Sequence, residues 1–369
     1  MRVTWDQVFA WRLSRQYVES RADEGAAEIA DRLCGLQAQV TSAAELAVAL
    51  RSTKPEPGAL VRALDDGVLM KTWAMRGTLH ALTPALTAAC LSLIGSARTW
   101  EKPSWQKHFG ASPAEVAALT EAVAEVLDGA VLTREELVEA LVADPGFDRL
   151  GAELRSGWGA LLKPLAWQGA LCHGPARGTK VTFANPAGLV RDWPGLPEPD
   201  AAAPLAILAY LGAYGPATPE AFDAWLSRNS LRKTTVRRWF ADLGDQLTEV
   251  DVEGRHAFLP TDQVDALAAA APDTSVHLLG AFDQYVLGPG TGDTALLPPA
   301  HRPKVSRTAG WISPIVVVGG RIAGTWELAE DAVEIAMFDG APLPRTGLDA
   351  AVAHMGVAAG LESLTVRAV

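Results

Sequence analysis

The order of elements along the chain constrains the fold most, because helices followed by a hairpin of two short strands occur three times. The clearest copy covers residues 205–259. There an apolar helix precedes a second helix, for which Thr218 is the expected N-cap and Pro219 the first residue. The basic helix LRKTTVRRWFADLG follows and is expected to end at Gly244. The strands LTEVDV and RHAFL then form a hairpin. This is the order of a winged helix-turn-helix module.

The two preceding segments have the same order. In the middle segment, Thr133 and Glu136 have capping-box spacing, SGWGALLKPLAWQ is a further helix, and ALCHG and KVTFAN form a hairpin around the turn PARG. In the N-terminal segment, LMKTWAM and TLHAL form a hairpin around Arg76-Gly77. The helices before it are predicted over residues 5–13, 25–36, 42–51 and 59–65. Such repetition predicts tandem modules.

Two other stretches complete the organisation. Residues 185–204 contain five prolines and are predicted to be a linker. After residue 272 the apolar residues alternate with period two, which predicts strands. The fold class is therefore α+β, with three tandem winged helix-turn-helix modules and a β-rich C-terminal domain. The boundaries are predicted at residues 1–128, 129–195, 203–262 and 273–369.

Composition and charge limit the possible environments and partners. A net charge of −11 argues against a protein that coats nucleic acid without selectivity, although local basic patches still permit a nucleic-acid enzyme. The three cysteines have neither metal-site nor disulfide spacing, so a reducing cytoplasm is the expected location. No run of 18 apolar residues and no apolar leader is present, and no membrane partner is expected.

The common catalytic and cofactor motifs are missing from the sequence. No Walker A loop, dinucleotide-binding glycine motif, H-E-x-x-H or G-x-S-x-G occurs. The seven histidines are scattered, and His80, in a predicted strand, is more often a hydrogen-bonded core residue than a metal ligand. Neither a metal nor a cofactor is therefore expected.

Positive charge is concentrated in two stretches. The candidate DNA-binding residues of the first stretch, 227–239, are Arg232, Lys233, Arg237 and Arg238. Those of the second, HRPKVSR, are His301, Arg302, Lys304 and Arg307. The first stretch is equally consistent with a solvated helix face and with phosphate contacts. The second fits a basic hairpin tip for the minor groove, with an exposed, solubilising loop as the alternative.

Gln37 and Gln39 stand in the stretch GLQAQVTS. On a helix, residues two apart point about 200° from each other, whereas on an extended or turning segment they point the same way. Thr41 and Ser42 can cap the next helix, which places residues 37–40 in a turn between two helices. On these residues alone, turn glutamines that satisfy backbone groups are the favoured interpretation.

Four stretches in order resemble the AlkZ-type DNA glycosylases, which unhook interstrand crosslinks and excise alkylated bases. They are GLQAQ, KTWAMRGTLHALTP, LLGAFDQYVLG and GWISPIVVVGGRIAGTW, and the resemblance covers nearly the whole chain. It is closest to the antibiotic self-resistance branch. It implies tandem winged modules with a β-rich C-terminal domain around a concave DNA-binding surface, a basic hairpin that approaches DNA, and a monomer.

The resemblance also implies that Gln37 and Gln39 are the catalytic Gln-x-Gln pair. Arg76, Thr78 and His80 are expected to alternate on one strand face and to support the site by hydrogen bonds. The implied partner is double-stranded DNA carrying alkylated or crosslinked guanine.

Glutamines suit a leaving base that is already charged. An N7-alkylguanine is cationic and departs neutral, so it needs no strong general acid. A glutamine carbonyl can orient the attacking water and favour the cationic sugar. Monofunctional hydrolysis is expected, since no catalytic lysine is evident.

Two other classes remain open on sequence. A winged-helix transcription regulator without catalysis normally uses one recognition helix per subunit and dimerises, which three modules in one chain fit poorly. A protein that sequesters an alkylating drug would require a large apolar pocket.

Overall fold

The computed structural model describes residues 1–190, 192–272, 274–330, 332–344, 346–361 and 364–369. Helices and three sheets are mixed along this part of the chain, which confirms the α+β class. None of the helices it describes is both long and apolar enough to cross a membrane.

The first segment consists of helices that flank a short antiparallel hairpin. Its elements are β1 (Arg2–Val3), α1 (Trp5–Arg15), α2 (Ala26–Arg32), β2 (Leu36–Gln37), α3 (Thr41–Ala49), α4 (Ala59–Asp65), β3 (Met70–Trp73), β4 (Leu79–Leu82), α5 (Pro84–Ser96), α6 (Pro103–Phe109) and α7 (Pro113–Val126). The helix predicted to reach residue 36 ends at Arg32. Gly35 has a φ of +94°, and a Cβ there would meet Leu82, so the chain leaves the helix and enters β2.

The second segment has the predicted capping box, since Thr133 and Glu136 bond reciprocally. Its elements are β5 (Val131–Thr133), α8 (Arg134–Val142), α9 (Gly151–Arg155), α10 (Leu162–Trp167), β6 (Cys172–Arg177), β7 (Lys180–Ala184) and α11 (Pro186–Leu189). The hairpin turns at Gly178, whose φ is +63°, so most of the predicted turn PARG belongs to β6. The predicted linker is shorter than expected, because its ends form α11 and the beginning of the next helix.

In the third segment, the observed elements agree best with those predicted from the sequence. Its elements are α12 (Pro199–Tyr214), α13 (Pro219–Ser227), α14 (Lys233–Asp242), β8 (Leu247–Val252), β9 (Arg255–Pro260) and α15 (Val264–Ala269). Thr218 caps α13 by accepting from the backbone N–H of Ala221, and Gly244 follows α14 with a φ of +50°.

Sheets cross the predicted module boundaries. The first two hairpins share a six-stranded sheet in the order β2-β4-β3-β6-β7-β5, joined where Lys71 pairs with His173. The third hairpin takes β1 as a parallel third strand, with Arg2 opposite Asp251. The three segments are therefore packed together by backbone hydrogen bonds.

The C-terminal part contains a five-stranded sheet, as the alternating pattern predicts. Its elements are β10 (Val276–Leu279), α16 (Gln284–Leu287), α17 (Arg302–Val305), β11 (Ile315–Val318), β12 (Arg321–Ala329), β13 (Ala332–Met337), α18 (Leu348–Ala359) and β14 (Thr365–Ala368), with the strands in sequence order across the sheet. Residues 284–287, within the region where strands were predicted, instead form a helical turn, because the Asp283 side chain caps it.

A buried ion pair joins the first segment to the C-terminal part. Two guanidinium nitrogens of Arg51 each donate to one carboxylate oxygen of Asp283 at 2.8 Å, and both side chains are fully buried. The same guanidinium donates to the backbone carbonyls of Gln16 and Ala47. The charge is thus paired and hydrogen-bonded, the condition under which burying it is tolerable.

Candidate active site

Gln37 is the last residue of β2, the edge strand of the six-stranded sheet, and Gln39 follows two residues later in a bend. Gln37 pairs with His80 of β4, and the backbone N–H of Ala38 donates to the carbonyl of Leu79 at 2.8 Å. The side chain of Ala38, between the two glutamines, is fully buried. The turn predicted over residues 37–40 is therefore wrong at Gln37, which belongs to β2, and is confirmed as a bend at residues 39–40 before α3. Val40, and not Thr41 or Ser42, is the N-cap of α3, and no side chain caps that end.

Protein donors orient both amides. Oε1 of Gln37 accepts from Nη2 of Arg76 at 3.4 Å, and Oε1 of Gln39 accepts from the backbone N–H of Leu79 at 3.3 Å. Neither donor can accept a hydrogen bond, so each amide must present its oxygen to it. A carbonyl oxygen has two lone pairs, which leaves each glutamine one acceptor position. Gln37 is 7% exposed, whereas Gln39 is exposed.

Arg76 lies in a tight turn between β3 and β4, which corrects the prediction that it shares a strand face with Thr78 and His80. Residues 75–77 form a 3₁₀ turn, in which Arg76 and Gly77 have φ values of +57° and +69°. The Thr78 hydroxyl closes this turn by donating to the carbonyl of Met75. From here Arg76 reaches both Gln37 and the carbonyl of Trp225 in α13, the latter at 3.1 Å. Burial lowers its pKa to about 10, so it remains a cation at neutral pH.

His80 is neutral and faces the same side of the sheet as Gln37. Its Nδ1 lies 3.0 Å from the carbonyl of Thr78, which can only accept, so Nδ1 carries the proton and Nε2 a lone pair. Burial, and then the charge of Arg76, lowers the pKa of His80 to about 3. It cannot serve as a general base of useful strength near neutral pH.

Thr72 is a site residue that the sequence analysis missed. It pairs with His80 across β3 and β4, which aligns Gln37, His80 and Thr72 across three strands. Within the described residues, Nε2 of His80 and Oγ1 of Thr72 are buried without a hydrogen-bond partner. Two such groups on one row are unusual, because buried polar atoms are normally paired. Thr72 could have been predicted from the register of β3 and β4, which places it opposite His80.

The stretch HRPKVSR is not a hairpin tip. Residues 299–301 form a 3₁₀ turn that continues into α17, because Pro299 and Pro303 both favour the start of a helical turn. His301 is buried, its Nε2 lies 2.9 Å from a carboxylate oxygen of Asp339, and its ring stacks on Phe338. The hairpin-like turn comes next, where Ser306 bridges Ile312 around residues 308–310.

The exposed cations of the two basic stretches differ in their partners. Arg302 contacts the Thr291 hydroxyl, Lys304 lies over the Phe338 ring, and Arg307 is 3.7 Å from Glu327. In the other stretch, Arg237 pairs with Glu220, and Arg238 pairs with Asp200 and Asp242. Arg232 and Lys233 are exposed at the beginning of α14 and have no ion pair with the described residues. Among all the residues that the structure describes, no three His, Cys, Asp or Glu side chains are arranged to hold a metal ion.

The sequence from residue 30 to residue 358 matches the family described as DNA glycosylase AlkZ-like. The chain belongs to this family and is a DNA glycosylase, which sets aside a regulator without catalysis. An interstrand DNA cross-link repair glycosylase of Streptomyces sahachiroi is 54% identical over 371 residues, with 100% of both chains covered. The solved structure of Streptomyces sahachiroi DNA glycosylase AlkZ has a TM-score of 0.97 at 54% identity, again over 100% of both chains.

Proposed function

We propose that this enzyme hydrolyses the N-glycosidic bond of cationic N7-alkylguanine, including guanines joined in an interstrand crosslink. The observation that carries the proposal is that the amide oxygens of Gln37 and Gln39 each accept from a protein donor and each keep one acceptor position free. The full-length similarity to a cross-link repair glycosylase supports the choice of crosslinked DNA.

The proposed reaction needs no titrating group. The bond between C1′ and N9 breaks, and its electron pair goes to the cationic base, which leaves neutral. Gln37 and Gln39 accept hydrogen bonds from a water and hold it against C1′, and their carbonyl dipoles favour the oxocarbenium-like sugar. The water adds to C1′ and releases its proton to solvent. The product is an intact abasic site, so the enzyme is monofunctional.

Arg76 is proposed to act through Gln37. It occupies one lone pair of Oε1 and turns the amide, so that the second lone pair remains for water. Its positive charge opposes a cationic sugar, and we therefore expect its benefit to come from positioning. Thr78 supports Arg76 by closing the turn, and His80 holds the strand beside Gln37.

We propose that the three helix–hairpin segments act as winged modules around a concave DNA-binding surface. Exposed cations from the two basic stretches are its proposed phosphate contacts: Arg232, Lys233, Arg237, Arg238, Arg302, Lys304 and Arg307. His301 is left out of the proposed contacts, because it is buried against Asp339. The enzyme is proposed to act as a monomer on nucleoid DNA in the cytoplasm.

The test is release of free base from duplex DNA with one defined N7-guanine crosslink. Gln37→Ala and Gln39→Ala should each lower the single-turnover rate on the order of 100-fold, while fluorescence anisotropy shows unchanged binding of the same DNA. Gln263→Ala is the matched control, since that side chain donates to its neighbour Asp262 and has no hydrogen bond to Gln37, Gln39 or Arg76. Full activity of either Gln37→Ala or Gln39→Ala would remove that residue from the proposed mechanism.

A further inference from the structure

Three cations from different elements meet around the turn that carries Arg76. A Cβ built on Gly77 would lie 4.0 Å from Nζ of Lys163, which places the α10 ammonium group directly beside this turn. Arg76 donates to the carbonyl of Trp225 in α13, and Arg228 is the C-cap of that helix. The β3–β4 turn, α10 and the end of α13 therefore bring Arg76, Lys163 and Arg228 to one place.

The cluster has no carboxylate to balance it. None of the ion pairs within the described ranges includes Arg76, Lys163 or Arg228. After burial, the positive charge of Arg228 is a further cause that lowers the pKa of both Arg76 and Lys163. Other exposed arginines, such as Arg237 and Arg238, do have acidic partners in a chain of net charge −11. Three unpaired like charges cost free energy unless an anion joins them.

The N–H groups of this cluster that are not engaged by the protein are suited to binding a phosphodiester. Two N–H groups of Arg76 are engaged by Gln37 and Trp225, and a guanidinium has five, so three remain. Lys163 adds a compact point charge, and Arg228 is exposed and able to reach an incoming strand. A planar fork beside an ammonium group is a common arrangement for binding phosphate oxygens.

We propose that Arg76, Lys163 and Arg228 bind one DNA backbone phosphodiester next to the nucleotide on which Gln37 acts. The proposal rests on the proposed function for the location of that nucleotide. Phosphate contacts set the register of a protein on DNA without reading sequence. Here the contact would also hold Arg76 against Gln37, so that the catalytic amide is oriented best when DNA is bound.

The test uses Lys163→Ala, Arg228→Ala and the double variant, with Arg62→Ala as control because Arg62 is exposed and paired with Glu56. Binding of a duplex with a non-cleavable lesion analogue is measured from low to high salt. Each single variant should weaken binding about three- to tenfold at low salt, and the double variant should reduce the slope of log K against log salt by about one. Arg62→Ala should match the wild type.

A scan with single methylphosphonate linkages then locates the contact. One neutral linkage near the lesion should weaken binding by the wild-type protein and cause no further loss in the double variant. If the double variant keeps the wild-type salt slope, or loses affinity at every linkage as the wild type does, the phosphate site is refuted. The same scan with the Gln37→Ala variant measures DNA binding in the absence of base release. A catalytic failure of Gln37 and a failure of the phosphate site are therefore distinguishable.

Discussion

The guanidinium group of Arg76 lies 3.4 Å from Oε1 of Gln37, although the two residues are 39 positions apart. The contact depends on a turn in which both Arg76 and Gly77 have positive φ values, and on the edge strand that fixes Gln37 opposite His80. A charged donor thus determines which way the uncharged amide of Gln37, which we propose to be catalytic, faces. Gln39 is oriented separately, by the backbone N–H of Leu79.

Replacing Arg76 should lower the rate of base release by disturbing Gln37. Arg76→Lys keeps the charge but cannot reach both Gln37 and the Trp225 carbonyl, so we expect a loss of about 1.5 kcal/mol of transition-state stabilisation, or about tenfold in rate. Arg76→Gln should lose at least as much. Single-turnover rates at saturating enzyme measure the effect, and a wild-type rate for Arg76→Lys would contradict the positioning role.

The rate of base release, divided by the spontaneous rate from the same DNA to remove the titration of the base itself, should be independent of pH between about 5 and 9. The glutamines do not titrate, His80 with a pKa of about 3 stays neutral, and Arg76 with a pKa of about 10 stays charged. Single-turnover rates on an N7-methylguanine duplex across this range provide the measurement. A limb with a midpoint between 6 and 7 would mean that a titrating general acid or base takes part.

The hairpins were predictable, because each depends on local sequence spacing, whereas the glutamine pair was singled out only by the family resemblance and Gln37 was expected in a turn. The contacts of the two glutamines with the rest of the protein were not predictable from the sequence. The Arg76 contact depends on positive φ at a residue other than glycine, and the pairing of β1 with β8 joins residues 249 positions apart, as Arg2 with Asp251. The basic stretch from His301 was assigned the wrong shape, since its prolines start a helical turn and the bridge at Ser306 comes only after it.

Selectivity for charged leaving bases should be strong. N7-methylguanine should be released at least 100-fold faster than uracil or ethenoadenine placed in the same sequence, because a neutral base requires protonation that no side chain near Gln37 supplies. Release of each base is followed by chromatography after equal incubation. Efficient excision of either neutral base would contradict the proposed mechanism, whatever the effect of the Gln37 and Gln39 variants.

Breaking the buried ion pair should destabilise the fold without changing the chemistry of the site. Asp283→Asn leaves the Arg51 charge buried without its carboxylate, which typically costs about 3–5 kcal/mol. Arg51→Met combined with Asp283→Leu removes both charges and should recover part of that loss, although the cap on α16 is also lost. Urea midpoints measure the stability. If Asp283→Asn proves as stable as the wild type, the ion pair does not hold the two parts together.

Acidification should destabilise the protein through two buried histidines. Burial, followed by nearby cationic side chains, lowers the pKa of His80 and of His173 to about 3, whereas an unfolded histidine has a pKa of about 6.5. Above that value both states are neutral and the stability is fully present. Below pH 6.5, these histidines bind protons in the unfolded chain but not in the folded chain, so the free energy of unfolding decreases as the pH is lowered. Between pH 6.5 and 5 the loss is about 1.6 kcal/mol per histidine. His173→Gln should roughly halve the pH dependence of the urea midpoint in this window, while replacement of the exposed His108 by glutamine, His108→Gln, should leave it unchanged. Equal slopes for the wild type and His173→Gln would show that the buried histidine does not control acid stability.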